Sequence, residues 1–151
     1  MDSRPPYPGG KPPYAEGKNY RFDLENGIVW CRVWARLDLP REVGATLAAE
    51  KIPIFERIVL LPRVTARACL FDLREAPATW GPDTQAALEK CVWCWEAALR
   101  KIAILTSADA LQSLQAKLLI KQCAPRFGRV FGTEPAARAW LAEPMPAPAP
   151  G

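Results

Sequence analysis

Histidine is absent from this chain of 151 residues. The protein therefore lacks the commonest general base near neutral pH and the commonest metal ligand, which excludes Cys–His and Ser–His nucleophilic pairs and histidine-bound metals. A phosphate-cradling glycine loop is missing too, since Gly9-Gly10 lies in a proline-rich stretch and Gly81, Gly128 and Gly132 stand alone. We therefore predict a protein that is not an enzyme, has no catalytic residues and needs no cofactor.

Long apolar runs are also missing. No segment approaches the roughly 20 apolar residues that a membrane-spanning helix needs, and no apolar run follows a basic start as in a secretory leader. Five cysteines at irregular spacing favour reduced thiols over a disulfide framework. These features predict a cytoplasmic protein without a membrane span.

Charge is not concentrated anywhere in the chain. The net charge of +4 is spread out, and no basic block alternates with aromatic residues. Nucleic-acid binding usually needs a concentrated basic footprint to neutralise phosphates. We therefore predict no nucleic-acid partner.

Composition divides the chain into three parts. Residues 1–17 are rich in proline and glycine, and residues 144–151 alternate proline with small residues, so both are predicted to be disordered tails. Recognition of these tails by a polyproline-binding partner is the alternative. Half of the chain is hydrophobic, which suits one compact domain over residues 18–143.

Hydrophobic periodicity within this domain predicts an α/β fold, with a mixed, mainly parallel sheet of four to five strands and about four helices. A hairpin turn is expected at Asn26-Gly27. Leu111, Leu114 and Leu118 are expected to point into the core from the third helix. The predicted strands are 20–24, 28–37, 66–73, 101–106 and 129–131, and the predicted helices are 41–61 with an interruption at Pro53, 82–100, 109–122 and 135–142.

The second strand has two different faces. Alternation places apolar side chains on one face and large aromatic and guanidinium groups on the other. The second face suits a half-covered sheet surface with stacked Trp and Arg side chains, or alternatively a contact site. The apolar face holds Val29, Cys31, Val33, Ala35 and Leu37, and the other holds Trp30, Arg32, Trp34 and Arg36.

The element order, together with four segments, resembles the STAS-like family, the fold of sporulation anti-sigma-factor antagonists and related small bacterial regulatory domains. The segments are Leu70-Phe71-Asp72-Leu73-Arg74, 101–106, 128–131 and 136–141. The resemblance implies a regulatory domain that docks on a protein partner, either a regulatory protein or a kinase-like anti-sigma factor. It further implies control by phosphorylation at the helix start after the third strand. A weak homodimer is also expected.

The phosphoacceptor pattern of that family is not present. The hydroxyl position falls at Gly81 or Pro82, so Thr79 and Thr84 are the candidate phosphorylation sites. Trp80, in the loop between strand and helix, is expected to be either a lid on the core or an anchor at an interface. The predicted partner-binding residues are Arg74, Glu75, Thr79, Trp80, Asp83 and Thr84.

Two other functions remain open. Asp72, Arg74 and Glu75 could join Thr106, Ser107 and Asp109 at the sheet edge where small molecules or lipids bind, beside an apolar pocket. Alternatively, Cys91 and Cys94 have the C-x-x-C spacing of thiol-redox and metal proteins. That pair lies about two turns into a helix, away from the helix N-terminus that lowers thiol pKa values, so structural cysteines and no metal are favoured.

Overall fold

The predicted hairpin at Asn26-Gly27 is present in the computed structural model, which describes residues 12–144. Both turn residues have positive φ, 54° at Asn26 and 81° at Gly27, as a tight two-residue turn requires. The turn joins two antiparallel strands in which Phe22 lies opposite Cys31. This hairpin supplies two of the six strands of the sheet that residues 12–144 form.

Within residues 12–144 the chain forms six strands and five helices, more than the four to five strands and about four helices expected. The additional elements are a two-residue edge strand and a single helical turn, both too short to show a periodicity. They are β1 (Ala15–Glu16), β2 (Tyr20–Glu25), β3 (Ile28–Trp34), α1 (Val43–Ile58), α2 (Arg63–Ala66), β4 (Ala68–Glu75), α3 (Pro82–Ala97), β5 (Lys101–Leu105), α4 (Ala110–Cys123), β6 (Gly128–Phe131) and α5 (Glu134–Ala142).

The tails were predicted to be residues 1–17 and 144–151. Strand β1 lies inside the first of these stretches and pairs with β2, with Ala15 opposite Phe22. Residues 1–11 and 145–151 lie outside the described residues.

The sheet is mixed and mainly parallel, as predicted. Its strand order follows the chain from β1 to β6, with antiparallel pairing from β1 to β3 and parallel pairing from β3 to β6. Each crossover between parallel strands carries a helix, and crossovers of one hand put those helices on the same face. Helices α1, α3 and α4 accordingly share one hydrophobic cluster with the sheet.

The two faces of the sheet are covered differently. The helix-covered face holds the larger cluster, with Phe55, Phe71 and Trp95 at its centre. On the opposite face α5 packs mainly on β4, β5 and β6, where Ala137 and Leu141 are buried. Among residues 12–144, that face therefore carries one helix, whereas α1, α3 and α4 cover the other.

Two predicted details are wrong. The expected interruption at Pro53 does not occur, because α1 runs continuously from Val43 to Ile58. Proline has no backbone N–H, so Pro53 cannot donate the helical hydrogen bond to the carbonyl of Ala49. Both residues are exposed, and water can solvate that carbonyl. Strand β3 ends at Trp34, earlier than expected, and Leu37 is 97% exposed.

The inward face of α4 also differs from the prediction. Leu111, Leu114 and Leu118 are about half exposed. The helix instead buries Gln112 and Ala116 together with Leu119 and Ile120. The leucine stripe and the stripe with Gln112 have similar helical spacing. The stripe with Gln112 is the buried one because Ala116 permits close packing and the Gln112 amide reaches carbonyl acceptors.

Candidate functional site

The candidate site lies where the parallel strands end. Strand β4 ends at Glu75, and residues 76–81 lead to the first turn of α3. Helix α3 begins with Gly81 as its N-cap and Pro82 in its first turn, a favourable start because proline lacks the N–H that a first turn leaves unpaired. The predicted partner-binding residues are distributed along this connection.

Asp72 is the most highly bonded carboxylate in this region. It is 5% exposed and accepts hydrogen bonds from Arg74 Nε at 3.0 Å and Arg74 Nη2 at 2.7 Å, as well as from the Arg74 backbone N–H at 3.1 Å. The indole Nε1 of Trp30 on the neighbouring strand donates to it at 3.3 Å. With both carboxylate oxygens occupied, Asp72 is a structural partner of Arg74 and is poorly placed to act as a general base.

Arg74 connects this carboxylate to α5. Its Nη2 also donates to Glu134 Oε1 at 3.1 Å, and Glu134 accepts from Arg138 Nε at 2.8 Å. The hydrogen bonds to Asp72 raise the pKa of Arg74 above its usual value, so its charge is permanent.

Two other arginines lie over the ring of Trp30. The guanidinium of Arg138 lies 5.3 Å from the centre of the Trp30 ring, and that of Arg32 lies 4.7 Å from it. The expected Trp/Arg stacking is therefore present.

The loop after β4 is held by a residue that sequence analysis missed. Gln112 is fully buried on α4 and donates through Nε2 to the carbonyls of Leu73 at 2.8 Å, Pro77 at 3.3 Å and Ala76 at 3.4 Å. Its Oε1 accepts the Ser107 backbone N–H at 2.7 Å. The Gln112 side chain thus connects α4 to the loop after β4 and to the loop after β5. A glutamine at helical spacing from Ala116 was the only sequence signal.

Trp80 closes the loop from the helix-covered side. It is half-buried against the larger hydrophobic cluster, and its Nε1 donates to Gln85 Oε1 on α3 at 2.5 Å. Of the two alternatives for this tryptophan, the structure shows a lid on the core. Part of the Trp80 side chain remains exposed to solvent. Trp93, farther along α3, is 58% exposed.

The predicted partner-binding residues differ in exposure. Glu75, Thr79 and Asp83 are exposed, whereas Thr84 in the first turn of α3 is half-buried. Arg74 pairs with Asp72 and Glu134 at the α5 side of the sheet, while Trp80 packs toward α1, α3 and α4. The structure thus places these residues along one connection without joining them into a single cluster.

The other predicted polar residues have local roles. Asp109 caps α4 by accepting the Gln112 backbone N–H at 2.9 Å, and Ser107 Oγ accepts the Asp109 N–H at 3.2 Å. The Thr106 hydroxyl donates to the Phe131 carbonyl at 3.4 Å. Such contacts are typical of loops and helix caps.

The cysteines are not activated as nucleophiles. Burial raises the pKa of Cys91 to about 12 and also raises that of half-buried Cys94. A thiolate is the reactive form of cysteine, and neither position favours it. Over the described part of the chain, no group of three or more Cys, Asp or Glu side chains is arranged to hold a metal ion.

Two open clefts lie at the opposite end of the sheet. One, of about 660 Å³, borders the hairpin turn and α2, with Asn26 and Arg67 in its lining. The other, of about 430 Å³, borders the start of β5 and the end of α5, with Lys101 and Leu141 in its lining. Neither is the pocket beside Asp72 and Thr106 that small-molecule binding predicts.

Comparison with known proteins adds no relative. No family model, no curated protein and no solved structure matches the chain. Among the helices of residues 12–144, none has both the length and the apolar character to cross a membrane. The function proposed for this chain therefore rests on its residues and their geometry.

Proposed function

We propose that this chain is a non-enzymatic protein-interaction module whose docking surface is the loop of residues 74–83 and the first turn of α3. The observation that carries the proposal is the anchoring of this loop by buried Gln112, which donates to the carbonyls of Ala76 and Pro77 within the loop and of Leu73 just before it. A loop fixed in this way presents its exposed groups in one arrangement. Little ordering entropy is then lost when a partner binds.

The exposed groups of the loop suit a protein partner. Pro77 and Ala78 offer a small apolar surface, and Glu75 and Asp83 add two exposed carboxylates. The positive charge of Arg74 is paired with the carboxylates of Asp72 and Glu134. A complementary partner surface would therefore combine apolar contact with basic side chains.

The module is proposed to be a cytoplasmic, bacterial regulatory domain of the STAS-like type, and its partner a regulatory protein or kinase-like anti-sigma factor. Support comes from the element order and from the α/β sheet with a helix start after β4. Thr79 is the better candidate for phosphorylation because it is exposed two residues before the Gly81 N-cap, whereas Thr84 is half-buried. Phosphate near a helix N-terminus is electrostatically favourable and would alter the docking surface.

Paired capture experiments test the docking surface. Wild-type chain, Ala78→Arg and Ala49→Arg are used as baits in extracts of the native cell, since both alanines are exposed but only Ala78 lies in the loop. We expect at least one protein to be retained by wild type and Ala49→Arg and to fall about tenfold with Ala78→Arg, equivalent to ~1.4 kcal/mol of binding free energy. Equal capture by Ala78→Arg and wild type would refute the proposed surface.

Mass spectrometry of the chain isolated from native cells tests the phosphorylation hypothesis. Phosphate on Thr79 is expected in part of the molecules. If Thr79 and Thr84 are unmodified under every growth condition tested, phosphorylation is removed from the proposal. The docking role would not be affected by that result.

A further inference from the structure

An exposed apolar tip lies at the end of the sheet away from the docking loop, on residues 57–67. This segment runs from the last turn of α1 through α2 and contains three arginines and no carboxylate. Leu60 and Val64 are each 84% exposed, and among the large apolar side chains of residues 12–144 only that of Leu37 is more exposed. Single exposed apolar side chains are common, but two on one short turn form a patch. The segment is called the 57–67 surface below.

Hydrogen bonds fix this surface to the rest of the fold. The Leu60 backbone N–H donates to the Arg57 carbonyl at 3.2 Å, which closes the turn after α1. The Arg63 side chain donates through Nη2 to the Ala98 carbonyl at the end of α3 at 3.2 Å. The exposed apolar side chains are therefore held in solvent by an ordered backbone, and little ordering entropy is lost when they contact a ligand.

The arginines of this surface have no carboxylate partner. All three are exposed, and none of the ion pairs among the described residues includes Arg57, Arg63 or Arg67. Where their N–H groups bond, the acceptors are backbone carbonyls, as for Arg67 Nη1 and the Asn26 carbonyl at 2.6 Å. A guanidinium bonded to a neutral carbonyl keeps its full charge and has further N–H donors for an anionic ligand.

Folding adds two more cations at this end of the sheet. Lys101 begins β5 and lines the cleft of about 430 Å³ together with Arg63 and Arg67, and Arg100 directly precedes it. Three carboxylates border the segment or its clefts, namely Glu25, Glu56 and Glu143. The cations outnumber these carboxylates, so the electrostatic potential around the apolar tip is positive.

Exposed apolar side chains beside unpaired arginines suit an anionic membrane surface. Apolar groups enter the boundary between headgroups and acyl chains, while guanidinium groups form charge-assisted hydrogen bonds with lipid phosphates. A nucleic acid would contact the arginines but gain little from Leu60 and Val64, because it stacks its bases on aromatic side chains. The apolar tip therefore favours a lipid surface over a nucleic acid.

We propose that the 57–67 surface binds an anionic bilayer peripherally, with its two exposed apolar side chains inserted among the headgroups and its three arginines on the lipid phosphates. Strand β4 runs from this end of the sheet to the docking loop of residues 74–83. Its eight residues span about 26 Å, so a membrane-bound chain keeps that loop open to a partner. The two surfaces share no residue, and the inference is independent of the proposed function.

Sedimentation of the full chain with vesicles tests the proposal. One set of vesicles holds phosphatidylglycerol and phosphatidylcholine in equal parts, and the other holds phosphatidylcholine alone. Each arginine near an anionic surface adds about fivefold to the affinity, so we expect binding to pure phosphatidylcholine to be roughly a hundredfold weaker.

Four variants locate the contact on the mixed vesicles. Leu60→Ser/Val64→Ser should weaken binding at least about tenfold, because the apolar area that leaves water on insertion is lost. Its control is Leu37→Ser, which changes a side chain that is 97% exposed at the other end of the sheet. Arg57→Gln should weaken binding about fivefold. Its control is Arg41→Gln, which removes the same charge from an exposed residue before the start of α1.

Both controls are expected to bind like wild type. Failure of wild type to sediment with the mixed vesicles would overturn the proposal, as would equal binding of each variant and its control. Inorganic phosphate at constant ionic strength supplies a further arm, and we expect it to leave vesicle binding intact. Loss of binding in phosphate, with no effect of Leu60→Ser/Val64→Ser, would overturn membrane insertion and assign the arginines to a free phosphorylated ligand.

Discussion

The side-chain amide of Gln112 donates to the carbonyl of Leu73 over 2.8 Å, joining the first turn of α4 to the end of β4. Both groups are buried away from water, so this hydrogen bond satisfies a donor and an acceptor that water cannot reach. The same amide reaches the carbonyls of Ala76 and Pro77. The shape of the proposed docking loop therefore depends on a residue more than 30 positions away in sequence.

Replacing this residue should loosen the loop and lower stability. For Gln112→Ala we expect the free energy of unfolding to fall by about 1–3 kcal/mol, the cost of leaving the buried Leu73 carbonyl without its donor. Urea denaturation measures this change. Backbone amides of residues 76–81 should also exchange hydrogen faster than in wild type.

Gln122→Ala is the matched control, since Gln122 is exposed on the same helix. Its stability should stay within about 0.5 kcal/mol of wild type. Equal, small effects of the two substitutions would show that Gln112 does not anchor the loop.

Lys51 should make stability depend on pH. It is 2% exposed, with Nζ 3.3 Å from the Leu47 carbonyl and 5.0 Å from the centre of the Tyr20 ring, and Glu50, Cys31 and Cys91 are the other titratable groups around it. Burial lowers the pKa of Lys51 from its usual 10.5. Between the lowered pKa and 10.5 the unfolded chain binds more protons than the folded one, so the contribution of Lys51 to stability rises with pH.

The variant Lys51→Met removes this charge. We expect it to be more stable than wild type at neutral pH and to lose that advantage as pH rises toward 10.5, by at most about 1.4 kcal/mol per pH unit. Urea unfolding under reducing conditions at several pH values measures the difference. Lys117→Met, on the exposed surface, is the control and should show no such slope. A difference between Lys51→Met and wild type that is constant with pH would contradict the buried charge.

Thiol alkylation distinguishes structural from reactive cysteines. Because burial raises the pKa of Cys91 to about 12, we expect iodoacetamide at pH 7.5 to modify it at least about a hundredfold more slowly in the folded protein than in denaturant. Cys94, whose pKa is also raised, should be slowed as well. Timed labelling followed by mass spectrometry provides the rates. Modification of either cysteine at the denatured rate would favour the thiol-redox alternative.

Local patterns predicted the scaffold well. The Asn26-Gly27 turn, the strand predicted over 66–73 and the Pro82 helix start each have a strong local cause; all three are present, with the strand shifted to Ala68–Glu75. The class of fold followed from the alternation of strands and helices. β1 and α2 escaped prediction because two to four residues show no period.

The inner face of α4 shows where sequence patterns fail. Leu111, Leu114 and Leu118 are the more hydrophobic stripe, but the structure buries Gln112 and Ala116. A polar side chain can be buried only where partners exist, and those of Gln112 lie on β4 and its loop. The candidate site likewise depends on Glu134 and Arg138, which meet Arg74 and Trp30 only after folding.

Hydrogen exchange on the isolated complex tests the central claim most directly. The chain is measured alone and bound to the partner retained in the paired capture experiments. We predict that partner binding slows exchange at the backbone amides of residues 74–84 and leaves α4 unchanged. Protection confined to another surface, such as the exposed Leu111, Leu114 and Leu118 side of α4, would contradict docking through the loop.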